Sequence, residues 1–285
     1  MPYPDLDAAG APASPAPETL LDRSRYGLYP PGSTFKLITA AAALRSNAAS
    51  SEFMCQRLED GRIGTRVRGY THPVRDDVTD REPHGHVDLR KGLVVSCNAY
   101  FAQLAVKIGP QAILDAAAPT GIKVANEPAL KRLRGSLPYA GYGQGEVVAT
   151  PLRMARVAGA IATDGVIRDT TVLRVDPKKR STANDVRWLT SEQASFLATS
   201  MRDVVQQGTG RVLAGQPIAI AGKTGTAELN DAPSHSWFVG FAPYATRGRR
   251  IAFAVIVENA GYGGRIAAPL AGDVVAAART AGVIQ

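Results

Sequence analysis

Three strand-like runs near the C-terminus limit the possible folds more than any other feature of the sequence. All are rich in β-branched and aromatic residues and are separated by turn residues; they read PIAIAGKTGTAEL, SWFVGFAPYA and IAFAVIVENA. Because their connections are short, we expect neighbouring strands to run antiparallel. A helix predicted at about residues 266–281 has enough small and apolar side chains to lie on this sheet.

Helical patterns dominate the sequence before these strands. Helices are predicted at about residues 33–46, 88–95, 98–108, 110–118, 151–163 and 191–207. Thr150 before Pro151 marks one helix start, and Thr190-x-x-Gln193 is a capping-box pattern at another. Residues 166–176 alternate enough for a small hairpin, whereas segment 50–86 is assigned only irregular or short elements. The expected fold class is α+β, with an antiparallel sheet flanked by helices in one compact unit.

The N-terminal stretch differs in composition from the rest. Residues 1–25 are rich in Pro, Ala and Asp, which predicts an extended leader, and the compact domain is expected over residues 26–285. The leader lacks a basic region followed by an apolar one, and no apolar run reaches the ~20 residues that span a bilayer. Neither a signal peptide nor a membrane anchor is therefore expected within this chain.

The net charge of +8 would attract acidic surfaces such as nucleic acid, anionic lipid or an anionic cell-wall polymer. The basic residues are scattered, and short clusters at 131–134, 176–180 and 247–250 are interpreted as solvated loops. Basic stripes interleaved with stacking aromatic residues, which single-strand binders use, are not found. Nucleic acid is therefore not expected as a partner.

Cysteine and histidine spacing predicts neither a metal nor a cofactor. The two cysteines, Cys55 and Cys97, form no CxxC or Cys/His pattern, and they leave the redox compartment open. The pair His84-x-His86 would suit a metal on a strand, but no further ligand stands at a useful spacing.

A serine and a lysine open the first long predicted helix, directly after a Pro-Pro-Gly turn. Ser33 and Lys36 share a helix face, so their side chains can meet. Burial and the positive helix end should lower the pKa of Lys36, which could then act as general base for a serine nucleophile. Taken alone, so short a pattern is better explained by a capping serine beside a surface lysine.

A second motif, Ser96-Cys97-Asn98, stands in the link between two predicted helices. Its serine can relay a proton, and its amide can hold a substrate carbonyl or the lysine. Helix capping by Ser96 or Asn98 is the simpler explanation of this motif alone, although capping does not preclude catalysis.

The third motif, GKTGTA at 222–227, lies inside a strand pattern. Glycine weakens a strand unless another backbone or a ligand must approach closely. Lys223 and Thr224 offer a charge and a hydroxyl for a substrate carboxylate, and the strand could pair with an extended peptide. A P-loop is excluded because Pro217 stands at the position of its first glycine and strand, not helix, follows.

The three motifs together are far rarer by chance than any one of them. S-x-x-K, S-x-N and K-T-G, in this order, resemble the shared motif set of penicillin-binding proteins and class A β-lactamases. From about residue 20 onwards the chain resembles the transpeptidase domain of penicillin-binding proteins. The stretches similar to the monofunctional class B branch, which covers elongation and division enzymes, are YPPGSTFKL, SCNAYF, YGQGEVVATPLRMA, GKTGTAE, WFVGFAP and AAPLAGDVV.

This resemblance implies a serine acyltransferase that cross-links peptidoglycan. Ser33 would attack the D-Ala-D-Ala carbonyl of a stem peptide, Lys36 would deprotonate it, and Ser96 would relay the proton to the leaving D-alanine. The N–H groups of Ser33 and Thr226 would form the oxyanion hole. An amine of a neighbouring stem peptide would resolve the acyl-enzyme, and β-lactam antibiotics would acylate Ser33.

The resemblance also implies substrate-binding residues, a fold and a location. Asn98 would bind the substrate amide carbonyl, Lys223 and Thr224 the terminal carboxylate, and Gly225 would allow close backbone approach. The fold would include an all-helical subdomain beside the sheet, and the protein would work in the periplasm or on the extracytoplasmic face of the cell membrane. A SEDS-type membrane glycosyltransferase is a possible partner through the full-length protein.

Two departures from the family pattern lead to further expectations. The family places two strands before the S-x-x-K helix, and this chain begins near the end of the second, so the N-terminal strands are expected to be missing. Without an anchor or pedestal domain, the chain is expected to be a fragment of a longer protein, or its sheet to be incomplete.

Three alternatives remain open from the sequence. A D,D-carboxypeptidase would use the same residues with water as acceptor. A class A β-lactamase needs a deacylating glutamate with a nearby asparagine, and neither Glu127 nor Glu146 has a suitable context. A β-lactam-binding sensor or scaffold domain is the non-enzymatic alternative, and the three intact motifs argue against a degenerate scaffold.

Overall fold

The structure is a computed structural model that describes residues 21–170, 181–244 and 248–285. In these residues the α-helices are α1 (Arg23–Tyr26), α2 (Lys36–Arg45), α3 (Leu89–Val94), α4 (Asn98–Ala117), α5 (Ala129–Ala140), α6 (Pro151–Ala162), α7 (Ser191–Gln207) and α8 (Ala267–Thr280). The strands are β1 (Phe53–Arg57), β2 (Ile63–Thr65), β3 (Val74–Arg75), β4 (Gly85–Val87), β5 (Val166–Ile167), β6 (Val186–Arg187), β7 (Ala221–Ala227), β8 (His235–Ala242) and β9 (Ile251–Val257). Helices combined with antiparallel sheets confirm the α+β fold class.

Strands β7, β8 and β9 form the expected antiparallel meander, with β8 in the middle. Every residue of β8 is buried. Trp237, Val239 and Phe241 contribute to the larger core shared with α2 and α4, whereas Phe238 and Ala242 contribute to a second core with α8. Because successive side chains of a strand point to opposite faces, one strand serves both cores. Among the described strands, none pairs with the outer edge of β9.

The segment expected to contain irregular or short elements, 50–86, holds the short strands of a four-stranded antiparallel sheet in the order β3-β2-β1-β4. These strands are too short for an alternating pattern to stand out among the surrounding Arg, Asp and Gly. Cys55, Ile63, Val74 and Val87 are its buried apolar residues. This small sheet packs on α4 through β1, β2 and β3, and so it lies next to the second motif.

Helix α2 lies in the middle of the helical part of the fold, where it contacts α4 and α7. Each of its residues from Lys36 to Ala43 is buried. Four consecutive alanines let the neighbouring helices approach closely on several sides. The lysine that begins this helix is therefore enclosed by protein and does not extend into solvent.

The helices expected at 98–108 and 110–118 are both present, and they form the two parts of α4 on either side of Gly109, where the backbone is not helical and φ is 82°. One helix differs from what the sequence predicts. Helix α5 was not predicted, and it contains the basic cluster at 131–134, so the interpretation of that cluster as a loop is wrong. Leu133 and Leu137 are buried and lie on the inward face of α5. In the sequence, nearby Lys, Arg, Gly and Pro make this helical pattern of apolar residues hard to recognise.

Some expectations fall partly outside the described residues. Residues 1–20 of the expected leader lie there, while its end forms the single helical turn α1. Strand β5 of the hairpin expected at 166–176 pairs with β6, further along the chain, and 171–180 are not described. In the part that is described, no helix is both long enough and apolar enough to cross a bilayer.

The capping box at the start of α7 provides a test of local stability. The Thr190 Oγ1 accepts a hydrogen bond from the Gln193 N–H at 3.2 Å, and the Gln193 Oε1 accepts one from the Thr190 N–H at 3.1 Å. We expect Thr190→Ala to lower the free energy of unfolding by about 1 kcal/mol, because one end of this reciprocal pair is lost. Urea denaturation followed by circular dichroism measures the change. Thr190→Ser is the control that keeps the hydroxyl, and equal destabilisation by both variants would contradict the capping role.

Candidate active site

Ser33 lies in a 3-10 turn, Gly32–Phe35, that leads directly into α2. Its Oγ is 2.9 Å from the Nζ of Lys36, so the two side chains meet as their spacing suggests. Gly32 has a φ of 51°, and a Cβ at this position would lie 2.5 Å from the carbonyl oxygen of Thr226. Glycine at residue 32 therefore lets the serine turn pack directly against β7.

Lys36 is completely buried and is surrounded by acceptors. Its Nζ lies 2.7 Å from the Oδ1 of Asn98, 2.5 Å from the carbonyl oxygen of Ser96 and 3.1 Å from the Ser96 Oγ. Burial lowers the pKa of Lys36 to about 8, although the negative charge of Asp76 acts in the opposite direction. A fraction of Lys36 is therefore uncharged near neutral pH, and its amine is close enough to take the proton of Ser33.

Ser96 connects two lysines. Its backbone φ of 60° is in the left-handed region, which few residues other than glycine adopt. Its Oγ accepts a hydrogen bond from Lys223 Nζ at 2.8 Å and is also within reach of Lys36. Burial holds the pKa of Lys223 well below its usual value, and the charge of Lys36 lowers it further. Ser33, Lys36, Ser96 and Lys223 thus form a continuous chain along which a proton can move.

Asn98 begins α4, and both ends of its side-chain amide have partners. Its Oδ1 accepts from Lys36, and its Nδ2 donates to the carbonyl oxygen of Arg75 at 3.0 Å. The carboxylate of Asp76 accepts hydrogen bonds from the backbone N–H groups of Asn98 and Ala99, which caps the helix. Residues at the end of β3 therefore fix the orientation of the second motif.

The three predicted residues at the end of the third motif lie on β7, beside the serine turn. Thr224 and Thr226 line the cleft, and the Oγ1 of Thr226 accepts a hydrogen bond from the Gly263 N–H at 3.3 Å. A Cβ on Gly225 would lie 2.8 Å from the Cγ2 of Thr34 and 3.0 Å from the carbonyl oxygen of Pro31. The close approach at Gly225 thus brings the serine turn against the strand, whereas the sequence suggested an approach by substrate.

A cleft of about 560 Å³ opens over these residues. Five of the eight residues singled out from the sequence line it: Ser33, Ser96, Asn98, Thr224 and Thr226. Lys36 and Lys223 lie beneath its floor, fully buried. A nucleophile at the surface with amines below it is an arrangement suited to covalent acyl transfer.

Two residues next to this site belong to none of the motifs found in the sequence. Asp76 stands in a polar segment where nothing distinguishes it from its neighbours Asp77 and Asp80. Thr209 follows α7, and its Oγ1 is 2.5 Å from the Oγ1 of Thr224. Only the three-dimensional contacts identify these two side chains, because neither belongs to a short motif with known spacing.

Four possible metal ligands meet directly behind the second motif, where none was expected. Ligand atoms of Cys55, Asp76, His84 and Cys97 all lie within 4.8 Å of one another, whereas His86 is not among them. Sulfur, nitrogen and oxygen donors in this number are typical of zinc sites, so these residues could hold Zn²⁺. Burial acts to lower the pKa of His84, but Asp76 and Asp80 raise it to about 11, so a metal would have to displace a proton.

Comparison with protein families gives one match that covers most of the chain. Residues 12–276 match the family model described as the penicillin-binding protein transpeptidase domain. A curated relative, the peptidoglycan D,D-transpeptidase PbpA of Mycobacterium tuberculosis, is 31% identical over 298 residues that cover 94% of this chain. The same alignment covers 57% of the relative, so the chain spans little more than half of its length.

Solved structures give the same result. The penicillin G acyl-enzyme complex of penicillin-binding protein A from Mycobacterium tuberculosis is 28% identical with a TM-score of 0.73, over 92% of this chain and 64% of that chain. A second match is a chain of a peptidoglycan synthase complex, in a structure that concerns the coordination of polymerization and crosslinking. It is 25% identical to this chain, with a TM-score of 0.75. That match covers 90% of this chain and 47% of the other.

The burial of Lys36 predicts how the reactivity of Ser33 changes with pH. If the neutral amine is the base, the rate constant for acylation of Ser33 by a fluorescent penicillin rises with pH and levels off above about 8, where Lys36 is deprotonated. Below that value the rate constant falls about tenfold per pH unit. Stopped-flow measurements from about pH 6 to 9, with circular dichroism at each pH to check the fold, test this. A flat profile would exclude Lys36 as the titrating base.

Proposed function

Because the chain belongs to the penicillin-binding protein transpeptidase family, we propose that it is a D,D-transpeptidase that cross-links peptidoglycan stem peptides ending in D-Ala-D-Ala. One observation carries this proposal: Ser33 Oγ lies 2.9 Å from the amine of a buried lysine whose pKa burial lowers to about 8. A serine in water has no such neighbour and is a weak nucleophile.

Acylation begins with proton transfer from Ser33 to Lys36, while the serine oxygen bonds to the carbonyl carbon of the penultimate D-alanine. The oxyanion that forms accepts hydrogen bonds from the backbone N–H groups of Ser33 and Thr226. The bond to the terminal D-alanine then breaks, and its nitrogen receives the proton from Lys36 by way of Ser96. The position of the Ser96 hydroxyl, 3.1 Å from Lys36 Nζ and facing the cleft, supports this relay.

Substrate binding uses the same cleft. The side-chain amide of Asn98 lines the cleft and is held by hydrogen bonds with Lys36 and Arg75. In this position it is suited to bind an amide group of the stem peptide. Thr224 presents a hydroxyl to the terminal carboxylate, and Lys223 lies directly behind it. Gly225 keeps this part of β7 without a side chain. An amine from a neighbouring stem peptide attacks the acyl-enzyme, which forms the cross-link and frees Ser33.

Hydrolytic alternatives receive less support from the contacts around the cleft. Glu146 is paired with Arg132 at the surface, which lowers its pKa to about 2, and it does not line the cleft. Glu127 accepts a hydrogen bond from the Ala129 N–H, also outside the cleft. Neither is placed as the deacylating base of a class A β-lactamase. A D,D-carboxypeptidase would use the same residues as a transpeptidase, and the test below separates the two.

The proposal extends to location and partners. Residues 26–285 would form the transpeptidase domain of a longer protein that acts in the periplasm or on the extracytoplasmic face of the cell membrane. A SEDS-type glycosyltransferase is proposed as a partner of that protein, a suggestion supported by the relative found in a peptidoglycan synthase complex. β-Lactams are proposed as inhibitors, supported by the penicillin G acyl-enzyme of the mycobacterial relative.

The first test concerns the nucleophile. Incubation with benzylpenicillin should add the mass of one penicilloyl group to the wild-type chain and none to Ser33→Ala, because Ser33 is the nucleophile of the proposed mechanism and its Oγ lies 2.9 Å from Lys36 Nζ. Intact-mass spectrometry measures the adduct, and digestion locates it. Ser24→Ala, which changes an exposed serine outside the site, is the matched control. Equal labelling of wild type and Ser33→Ala would refute the assignment.

The second test concerns the fate of the acyl-enzyme. We expect hydrolysis of nitrocefin to stop after about one equivalent, because Glu127 and Glu146, the two glutamates considered as deacylating bases of a class A β-lactamase, lie outside the cleft. With a D-Ala-D-Ala donor, an added amine acceptor should appear in the product. Chromatography with mass detection separates the transfer product from the hydrolysis product. Rapid multiple turnover of nitrocefin would favour a β-lactamase, and hydrolysis without transfer would favour a carboxypeptidase.

A further inference from the structure

Thr209 lies outside the three motifs but shares the cleft with them. It follows the C-terminal end of α7, and both Thr209 and Thr224 line the cleft. Their hydroxyl oxygens are 2.5 Å apart, a short hydrogen bond between two neutral groups. The proposed function uses Thr224 for the substrate carboxylate, so a side chain bonded to Thr224 can affect that contact.

The backbone around Thr209 is held on two sides. The Thr209 N–H donates to the carbonyl oxygen of Val94, two residues before Ser96, at 3.3 Å. On the other side, a Cβ on Gly264 would lie 2.5 Å from the Thr209 carbonyl oxygen. A β-branched side chain on a fixed backbone has few rotamers, so the Thr209 hydroxyl has a defined direction towards Thr224.

The two hydroxyls carry two protons, and their mutual bond uses one. If Thr209 donates, the Thr224 proton remains for an acceptor in the cleft. If Thr224 donates, its proton is no longer available there. An anionic acceptor favours the first arrangement, because Thr209 then polarises the Thr224 hydroxyl and strengthens its bond to a negative oxygen.

The burial of Lys223 makes the hydroxyl of Thr224 more important for binding a carboxylate in the cleft. Its side chain is fully buried, and its Nζ donates to Ser96 Oγ at 2.8 Å and to the Thr224 carbonyl oxygen at 3.1 Å. The amine therefore lies beneath the cleft, whereas Thr224 presents its hydroxyl at the cleft surface. On the same strand, Thr226 also presents a hydroxyl to the cleft, and its oxygen already accepts a bond from the Gly263 N–H.

We propose that Thr209 is a positioning residue for carboxylate recognition: by donating to Thr224, it directs the Thr224 proton towards the carboxylate of a D-alanyl peptide or β-lactam. This inference rests on the proposed function. Thr209 does not touch the reacting atoms, and its contribution depends on Thr224. It should therefore affect ligands with a free carboxylate more than ligands without one.

The experiment compares benzylpenicillin with its methyl ester as acylating agents. Thr209→Val keeps the shape of the side chain and removes the hydroxyl. We expect it to lower the second-order rate constant for benzylpenicillin about tenfold, because a charge-assisted hydrogen bond weakens. The slow rate constant for the ester should change less than about twofold. Intact-mass spectrometry over time gives both rate constants.

Four further variants make the result specific. Thr209→Ser keeps the hydroxyl and should restore the preference for the free acid. Thr199→Val is the matched control, since Thr199 is on α7 with its hydroxyl near Tyr244 and does not line the cleft. Thr209→Val combined with Thr224→Val should be no slower with benzylpenicillin than Thr224→Val alone, because Thr209 acts through Thr224.

The outcomes separate this inference from the proposed function. Equal losses for acid and ester in Thr209→Val, an unchanged rate for the acid, or failure of Thr209→Ser to restore the preference would each overturn the role of Thr209. If Thr209→Val does not fold, as judged by circular dichroism, Thr209→Ala removes the same hydroxyl with a smaller side chain, and it must show the same selective loss for the free acid. If the wild-type chain is acylated by neither compound, the proposed function itself fails.

Discussion

The arrangement of the site depends on the hydrogen bonds that surround the buried amine of Lys36. Placing an amine in the protein interior is unfavourable unless hydrogen bonds replace those made with water. Here the replacements come from the serine turn before α2 and from the link between α3 and α4. Through Ser96, the same network reaches Lys223 on β7. Three distant parts of the sequence are thus held together because each satisfies the same small group of buried amines and hydroxyls.

The surrounding fold makes this burial possible by close packing. The alanines of α2 let its neighbours approach, and Gly32 and Gly225 let the serine turn lie directly on β7. Trp237 on β8 adds a hydrogen bond from its indole N–H to the carbonyl oxygen of Pro30 at 3.0 Å. The sheet therefore supports the turn that contains Ser33 as well as carrying the third motif. The small sheet at 53–87 supports the second motif in the same way, because Asp76 caps α4.

Features that depend on local sequence could be predicted, and features that depend on long-range contacts could not. The central strands, the capping box at Thr190 and the pairing of Ser33 with Lys36 all follow from local spacing or composition. The small sheet could not be predicted, since its strands are very short, and α5 was hidden by Gly and Pro within it. Asp76, Thr209 and the ligand group around His84 draw on residues far apart in the chain, so no local pattern identifies them.

The position of Ser96 between two buried amines limits the number of positive charges that this site can hold. Neither Lys36 nor Lys223 is accessible to water, and the charge of one lowers the pKa of the other. In the proposed mechanism, the proton that leaves Ser33 arrives on an amine that already has an unfavourable neighbour. Repulsion then favours passing that proton forward, through the hydroxyl that both amines share, to the departing nitrogen. The energy of activating the nucleophile would in this way be recovered in expelling the leaving group.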